Sequence, residues 1–289
     1  MPDVFHNALG TESRIGFIGD LHGDLGALLA AARTMRARGV NVAIVTGDFG
    51  FIWPRVNYKK ALDKIRRRLS VLDFTLYFVD GNHEWFPELF TYPIGDDGLR
   101  RVRDNIFHIP RGYRVRLATG RVLAALGGAH SIDRDERIPG FDWWAEESIG
   151  ASDLERLGAA PADVLVGHDA PLRVPSLDWA LAANELNLSE EMLAYSLAGR
   201  RMFHRGFAAL RPELYVGGHY HRHVDEEVTF NNWTSRFECR VLVLDQVSRG
   251  LLCLAVIDAD TLQASVFGTA SGNQGPATTI GKAERCATA

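Results

Sequence analysis

The sequence predicts an α/β domain built on a parallel sheet with helices packed over it. Three observations predict it. The first eighty residues alternate short apolar runs with runs of helical periodicity. Each apolar run gives way to a glycine beside Asp, Asn or His, as in Gly19-Asp20-Leu21-His22, Gly47-Asp48 and Gly81-Asn82-His83-Glu84. Two later apolar runs end the same way, at Gly167-His168 and at Gly218-His219-Tyr220-His221.

Residues 14–19 read as a buried strand. Leu25, Leu28, Leu29, Ala32 and Met35 then recur at helical spacing, and Gly39 stops that helix. Val42 to Val45 is a second continuous apolar run. A second helix is expected from Asn57, a side chain suited to an N-cap, with Leu62, Ile65 and Leu69 facing inward. Phe74 to Val79 reads as a third strand. This order of elements is that of parallel strands with helical crossovers. Open sheets of that kind bind ligands at the carboxyl ends of their strands, where Asp20, Asp48 and Asn82 fall.

From Asn105 the pattern turns to short β-like segments near 106–109, 113–117 and 121–127, which read as an antiparallel meander. A loop rich in Asp, Arg and Trp follows, from Gly127 to Glu147. Ser152 and Glu155 have the spacing of a capping box for a short helix. Asp163 to Val166 and Leu214 to Val216 read as buried strands that deliver His168 and His219. Between them residues 176–210 are helical, with Pro175 at the edge, and are a candidate cap over the site. Three β-like runs near 239–245, 251–257 and 262–267 complete a single domain over residues 1–269. Residues 270–289, rich in Ala, Thr and Gly, read as a loose tail.

The 289 residues, 46% hydrophobic and 24% charged, suffice for one large domain with a full core. A net charge of −4 gives no global attraction to nucleic acid or to an anionic membrane, so any anion must be held by a local site. Of the three cysteines, Cys239 and Cys253 lie in apolar runs and Cys286 near the end, without metal-binding spacing. Buried thiols, no signal-like apolar core in Met1 to Thr11, and no apolar stretch of about 18 residues predict a soluble cytoplasmic protein with no membrane partner.

The recurring clusters supply Asp20, His22, Asp48, Asn82, His168, His219 and His221. Two carboxylates, one amide oxygen and four imidazoles with no thiolate suit Mn, Fe, Zn or Co better than Ca. Such a set is too large for one four-coordinate ion and fits two ions that share a carboxylate. Two ions about 3.5–4 Å apart can hold a hydroxide and clamp phosphoryl oxygens, and their charge can bind a phosphate although the chain is acidic. Hydrolysis also needs a proton donor for the leaving oxygen. His83, beside Asn82, is the natural candidate.

These residues resemble the calcineurin-like metallophosphoesterase superfamily, whose pattern runs D-x-H, G-D, G-N-H-[ED], a lone His, then G-H-x-H. All five blocks stand here in order, from Asp20 to His221. The resemblance implies a four-layer α/β/β/α sandwich with two mixed sheets and a two-metal site. It implies that Asp20, His22 and His221 hold one ion and Asn82, His168 and His219 the other, with Asp48 bridging and His83 acting near the leaving group. Divalent or trivalent transition-metal ions are the implied cofactors, Mn first, with Fe, Zn or Co as alternatives. One departure matters. Phosphoprotein phosphatases continue the second block as G-D-x-V-D-R-G, whereas this chain reads Gly47-Asp48-Phe49-Gly50-Phe51-Ile52-Trp53. The missing Asp and Arg count against a protein phosphatase and leave Asp80 or Glu84 to orient His83.

The expected activity is therefore hydrolysis of a small phosphodiester, with nucleotides or cyclic nucleotides favoured. A phosphomonoesterase or protein or nucleotide phosphatase, a nuclease and a non-catalytic scaffold are the alternatives. The chain carries no clustered basic stripe for extended nucleic acid. Arg134, Arg137 and His130, in the Arg/Trp loop, are candidate substrate contacts, since guanidinium matches phosphate oxygens in a fork. Trp143 or Trp144 is placed to stack on a base, and Trp53 and Trp85 near the mouth read as packing residues.

Overall fold

A computed structural model of the chain describes residues 3–231 and 236–269. Cys286 and the segment 270–289 lie outside the described residues. The first elements follow the periodicity: β1 (Arg14–Ile18), α1 (Leu25–Ala37), β2 (Val42–Val45), α2 (Tyr58–Val71) and β3 (Thr75–Phe78). A single turn, α3 (Phe86–Leu89), leads to β4 (Arg100–Arg103), β5 (Ile106–His108), β6 (Arg114–Arg116) and β7 (Val122–Leu126). Then come α4 (Ala151–Leu157), β8 (Val164–Gly167), α5 (Pro175–Ala182), α6 (Glu190–Leu210) and β9 (Leu214–Gly217). The described chain closes with β10 (Val224–Asn231), β11 (Arg236–Val243), β12 (Leu254–Asp258) and β13 (Ala264–Phe267).

Two mixed sheets result. One has the order β13-β12-β1-β2-β3-β5-β4 and the other β10-β11-β9-β8-β7-β6. In the first, β1, β2, β3 and β5 are mutually parallel. In the second, β7, β8, β9 and β11 are parallel.

Side-chain alternation explains why the central strands are continuously apolar. Ile15 and Phe17 of β1, Val42 and Ile44 of β2, and Tyr77 of β3 meet Val164 and Val166 of β8 and Leu214 and Val216 of β9 in a core between the sheets. The alternate residues Ile18, Ala43, Val45, Leu76 and Phe78 pack beneath α1 and α2, against Leu28, Met35, Leu62, Ile65 and Leu69. On the far side Leu165 and Tyr215 pack beneath Phe203, Phe207 and Leu210 of α6. Three cores between four layers cover both faces of the central strands, so β2, β8 and β9 are buried at every position, whereas the edge strands β4 and β10 carry charged residues. The architecture is the expected α/β/β/α sandwich.

Several local expectations are corrected. The segments 106–127 do not form one meander. β5 pairs parallel with β3, where Phe107 stacks on Tyr77, and only β6 and β7 make an antiparallel pair. A period of two specifies a strand but not its partner, which the long-range core selects. Asn57 sits at the N-cap of α2 but in the left-handed region, with φ 69° and no side-chain cap bond. The pair at the start of α4 is Gly150 and Asp153 rather than Ser152 and Glu155, with Asp153 Oδ2 accepting from Gly150 N at 2.8 Å. β4 and β10 add strands that periodicity did not indicate. α6 covers the second sheet, and its Tyr195 stacks on His130 with ring centroids 4.0 Å apart.

Candidate metal centre

Every cluster singled out in the sequence arrives at the carboxyl end of a parallel strand. Asp20 follows β1, Asp48 follows β2, Asn82 follows β3, His168 follows β8 and His219 follows β9. Asp20, Asp48, Asn82 and His168 are buried, whereas the His22 and His221 side chains are partly open. The turns are tight. His22 (φ 48°), Asp48 (48°), His219 (74°) and His221 (46°) all adopt the left-handed region. That region costs a non-glycine residue on the order of 1 kcal/mol or more, and it concentrates at functional sites. Two glycines make the convergence feasible. A Cβ on Gly81 would stand 2.1 Å from Asp48 Oδ1, and one on Gly47, whose φ is +112°, would stand 2.1 Å from His168 Nδ1.

The donor atoms meet across the two sheets. His22 Nε2 lies 2.9 Å from His221 Nε2, and His221 Nε2 lies 3.2 Å from Asp20 Oδ2. His168 Nε2 lies 3.3 Å from Asp48 Oδ1 and 3.1 Å from Asn82 Oδ1. His22 Nδ1 approaches Asp48 Oδ2 at 3.8 Å. Three groups have mutual donor separations within 4.8 Å: Asp20, His22 and His221; His22, Asp48 and His83; Asp20, Asp48 and His168. His219 falls in none of them, but its ring lies 4.9 Å from that of His168. Backbone amides hold the carboxylates in place: Asp48 Oδ1 accepts from Asn82 N and His83 N, and Asp20 accepts from His219 N. His168 Nδ1 bonds the Thr46 carbonyl at 2.8 Å, which aims Nε2 into the cluster.

The electrostatics fit a cationic occupant. Burial pushes the Asp48 carboxyl up, but the His168 and His83 imidazoles outweigh it and hold it well below the usual carboxylate range. Asp20 is likewise lowered against burial by His168 and His221. Burial opposes charge on His168 too, yet Asp48 and Asp20 push it up to about 10. Burial beside His168 takes His219 down to about 3. Among the described residues, the ion pairs of Asp20 and Asp48 are with histidine alone. Two buried carboxylates without a Lys or Arg partner need positive charge from elsewhere. Oxygen and imidazole donors of this kind suit a transition-metal ion.

His83 is brought to the centre, its ring edge-on to His22 at 4.8 Å and over Trp53 at 6.2 Å. Its expected orienting partners are corrected. Asp80 turns away to His108 and Arg111, and Glu84 Oε1 accepts from Phe49 N. Those carboxylates serve the strand-end scaffold, and Arg137 takes the position beside His83 instead. Its Nη2 lies 2.7 Å from His83 Nε2, while its Nε pairs with Asp133 at 2.8 Å. Burial first, then Arg137 and His22, hold the His83 pKa well below its ordinary value, so the imidazole is neutral and Nε2 accepts from the guanidinium.

Arg134 and His130 stand farther along the same loop. The Arg134 guanidinium lies over Trp143 at 5.1 Å and over Tyr195 at 4.6 Å, and with Trp143 it lines a cleft of about 230 Å³ together with Asp135, Pro139, Glu191 and Met192. His130 Nδ1 bonds the Tyr195 carbonyl at 2.7 Å. Trp144 is buried edge-on to Trp53, and Trp85 packs on Tyr58. Sequence reasoning missed Arg111, Ser131, Glu147 and Tyr195, which build the shell behind Asn82 and His83. Glu147 read as the end of a loop. Arg111, a charged residue between the apolar runs 106–109 and 113–117, carried a local signal, and Ser131 and Tyr195 carried none.

Back-to-back mixed sheets with Asp, Asn and His donors gathered at their strand ends define an α/β protein with a metallophosphoesterase-like fold. Residues 13–223 match the model of the calcineurin-like phosphoesterase family, and the chain belongs to that family. No curated protein matches the sequence. Among solved structures, the chain is similar to TT1561 of Thermus thermophilus, at 14% identity and TM-score 0.51, with 90% of this chain and 100% of that one covered. A second structure gives 12% identity and TM-score 0.51 over 89% and 99% of the two chains. A third, described as a novel archaeal phosphodiesterase, gives 11% identity and TM-score 0.38 over 88% and 99%. Among the described residues no helix is long and apolar enough to cross a membrane.

Proposed function

We propose that this chain is a two-metal phosphoester hydrolase that cleaves small phosphodiesters, with nucleotides or cyclic nucleotides as the favoured substrates. The observation that carries the reading is the pair of buried carboxylates, Asp20 and Asp48, faced by imidazoles and by no Lys or Arg among the described residues. In this reading Asp20, His22 and His221 hold one ion, Asn82, His168 and His219 hold the other, and Asp48 is shared. Mn is the first choice of metal, with Fe, Zn or Co as alternatives. When bound, two such ions supply a nucleophile from water at neutral pH and neutralise charge on phosphoryl oxygens. We place the protein in a reducing cytoplasm, in keeping with the free, buried thiols of Cys239 and Cys253.

The chain's own residues do the rest. An incoming phosphate draws Arg137 from His83 Nε2, because a guanidinium bonds an anion more strongly than a neutral imidazole. The freed imidazole then stands beside the phosphate charge, which favours uptake of a proton from solvent at Nε2; that proton goes to the leaving oxygen and the imidazole returns to its neutral form. Trp53 holds the His83 ring from one face. Trp143, which lines the cleft beside Arg134, offers a planar leaving group an aromatic surface, and this favours nucleotide substrates.

The test is hydrolysis of paired chromogenic aryl substrates, a phosphodiester and a phosphomonoester, with added Mn and with chelator. Diester cleavage that requires Mn is expected. His83→Ala should lower kcat by about 10²–10⁴-fold with metal content unchanged. Preference for the monoester would make the enzyme a phosphatase. No turnover of either substrate at full metal occupancy would point to a binding scaffold.

Arg134→Ala should raise KM or lower kcat for a nucleotide substrate while metal content stays full. The guanidinium contributes packing and charge to the cleft but contacts none of the seven proposed ligands. Kinetics identical to wild type would remove Arg134 from substrate binding.

A further inference from the structure

The Asn82 amide carries an oxygen and a nitrogen of nearly the same size, and only the oxygen can ligate a cation. Which of the two faces the donor cluster is decided on the opposite side of the group. There Asn82 Nδ2 donates to Ser131 Oγ at 3.2 Å. Ser131 is fully buried, and its hydroxyl donates to Glu147 Oε2 at 2.5 Å. A hydroxyl has one hydrogen. With that hydrogen committed to a carboxylate, Ser131 Oγ offers Asn82 only lone pairs. The amide must then turn its NH2 toward Ser131 and its Oδ1 toward His168 Nε2, 3.1 Å away.

Glu147 enforces this polarity because a carboxylate accepts and does not donate. It is fully buried and takes two further hydrogen bonds on Oε1, from Ser131 N at 3.0 Å and from the Tyr195 hydroxyl at 2.7 Å. The Glu147 carbonyl is held in turn by Arg111 Nη2 at 3.2 Å. Tyr195 belongs to α6 and holds the carboxylate, while Arg111, which follows β5, holds the backbone of the same residue. Among the described residues the Glu147 carboxylate bonds Ser131 and Tyr195, and Ser131 carries the link to Asn82.

We propose that Glu147, acting through Ser131, is a positioning residue that holds the Asn82 amide with its oxygen toward the centre, and so sets the affinity for one of the two cations. The proposal rests on the two-metal reading. Glu147→Gln keeps the shape and adds a donor. The new amide can donate to Ser131 Oγ, which releases the hydroxyl hydrogen to Asn82 Oδ1 and turns the Asn82 NH2 inward.

Mn²⁺ titration of the full chain by calorimetry, with metal content by atomic absorption and a thermal melt as the folding control, tests this. Wild type should bind two Mn²⁺. Glu147→Gln should weaken one of them by about 10–100-fold, the usual size for a group behind a metal ligand. Ser131→Ala, which deletes the link without adding a donor, should weaken the same ion and serves if Glu147→Gln melts early. In an Asn82→Asp background both side-chain atoms are oxygens. Glu147→Gln should then leave affinity unchanged or improve it, because the released Ser131 hydrogen meets an acceptor. Wild-type affinity in Glu147→Gln, or an equal loss in both backgrounds, overturns the proposal. A wild-type chain that binds no Mn²⁺ overturns the two-metal reading itself, and the proposal with it.

Discussion

Asp48→Asn should fold and yet lose hydrolysis of an aryl phosphodiester by at least about 10²–10³-fold, with the bound metal falling from two ions to at most one. The fold should survive because Asn keeps the shape and an oxygen. That oxygen can still accept from Asn82 N and His83 N, the bonds at 2.9 and 2.8 Å that tie β2 to the turn after β3. Charge is what disappears. Asp48 is one of two buried carboxylates in the cluster, and it faces His22, His83 and His168 together. Loss of one preorganised charge or donor at a reacting centre already costs about 10²–10³ in rate. Here the same substitution also weakens cation binding. Steady-state kinetics in excess Mn, with metal analysis of the dialysed protein, decide the matter. Near-normal kcat with both metals retained would show that Asp48 is not shared.

Asp80→Asn should produce the largest loss of stability, about 3–5 kcal/mol, although Asp80 touches none of the proposed ligands by side chain. Asp80 Oδ2 accepts from Arg111 Nε at 2.7 Å, and Oδ1 lies 3.1 Å from His108 Nε2, all three residues being buried. Removing one partner of a buried ion pair leaves the other charge uncompensated, which costs roughly that amount. Asp153 and three backbone carbonyls remain around Arg111 and limit the damage. At about 2–4 °C per kcal/mol for a large domain, the melting temperature should fall by about 10 °C.

The pH dependence has a definite sign. Burial raises the Asp80 pKa, but Arg111 and His108 overcome it and leave the group below its ordinary value. The stabilisation is therefore complete above the unfolded pKa of about 4 and is lost as pH falls toward the folded one. The gap between wild type and Asp80→Asn should be widest near neutrality and close in acid. A gap that is constant with pH would mean that the carboxylate charge is irrelevant.

The legibility of this chain follows the range of its interactions. Each strand-end cluster is local. Asp20 and His22 announce themselves because a buried apolar strand stops and polar residues with glycine begin. The same rule exposes Asp48, Asn82, His168, His219 and His221. The partners of those residues are long-range. That β5 joins β3 rather than β6 was decided by a core shared between sheets, which no local period encodes. Arg137 is a phosphate contact by sequence pattern, but its contact with His83 depends on a loop 54 residues away in sequence. Asp80 and Glu84 flank the Asn82-His83 pair and have the look of orienting groups. Burial and nearer donors turned both elsewhere.

The sequence by itself determined the layered α/β class and the set of candidate donors, because strand periodicity and turn chemistry are written in neighbouring residues. Only the tertiary structure decided which donors face one another, which group stands against His83, and how Arg111, Ser131, Glu147 and Tyr195 close around Asn82. Those outcomes depend on hydrogen-bond polarity and burial between segments remote along the chain. Such terms exist only once two sheets and their covering helices have excluded water from the space between them.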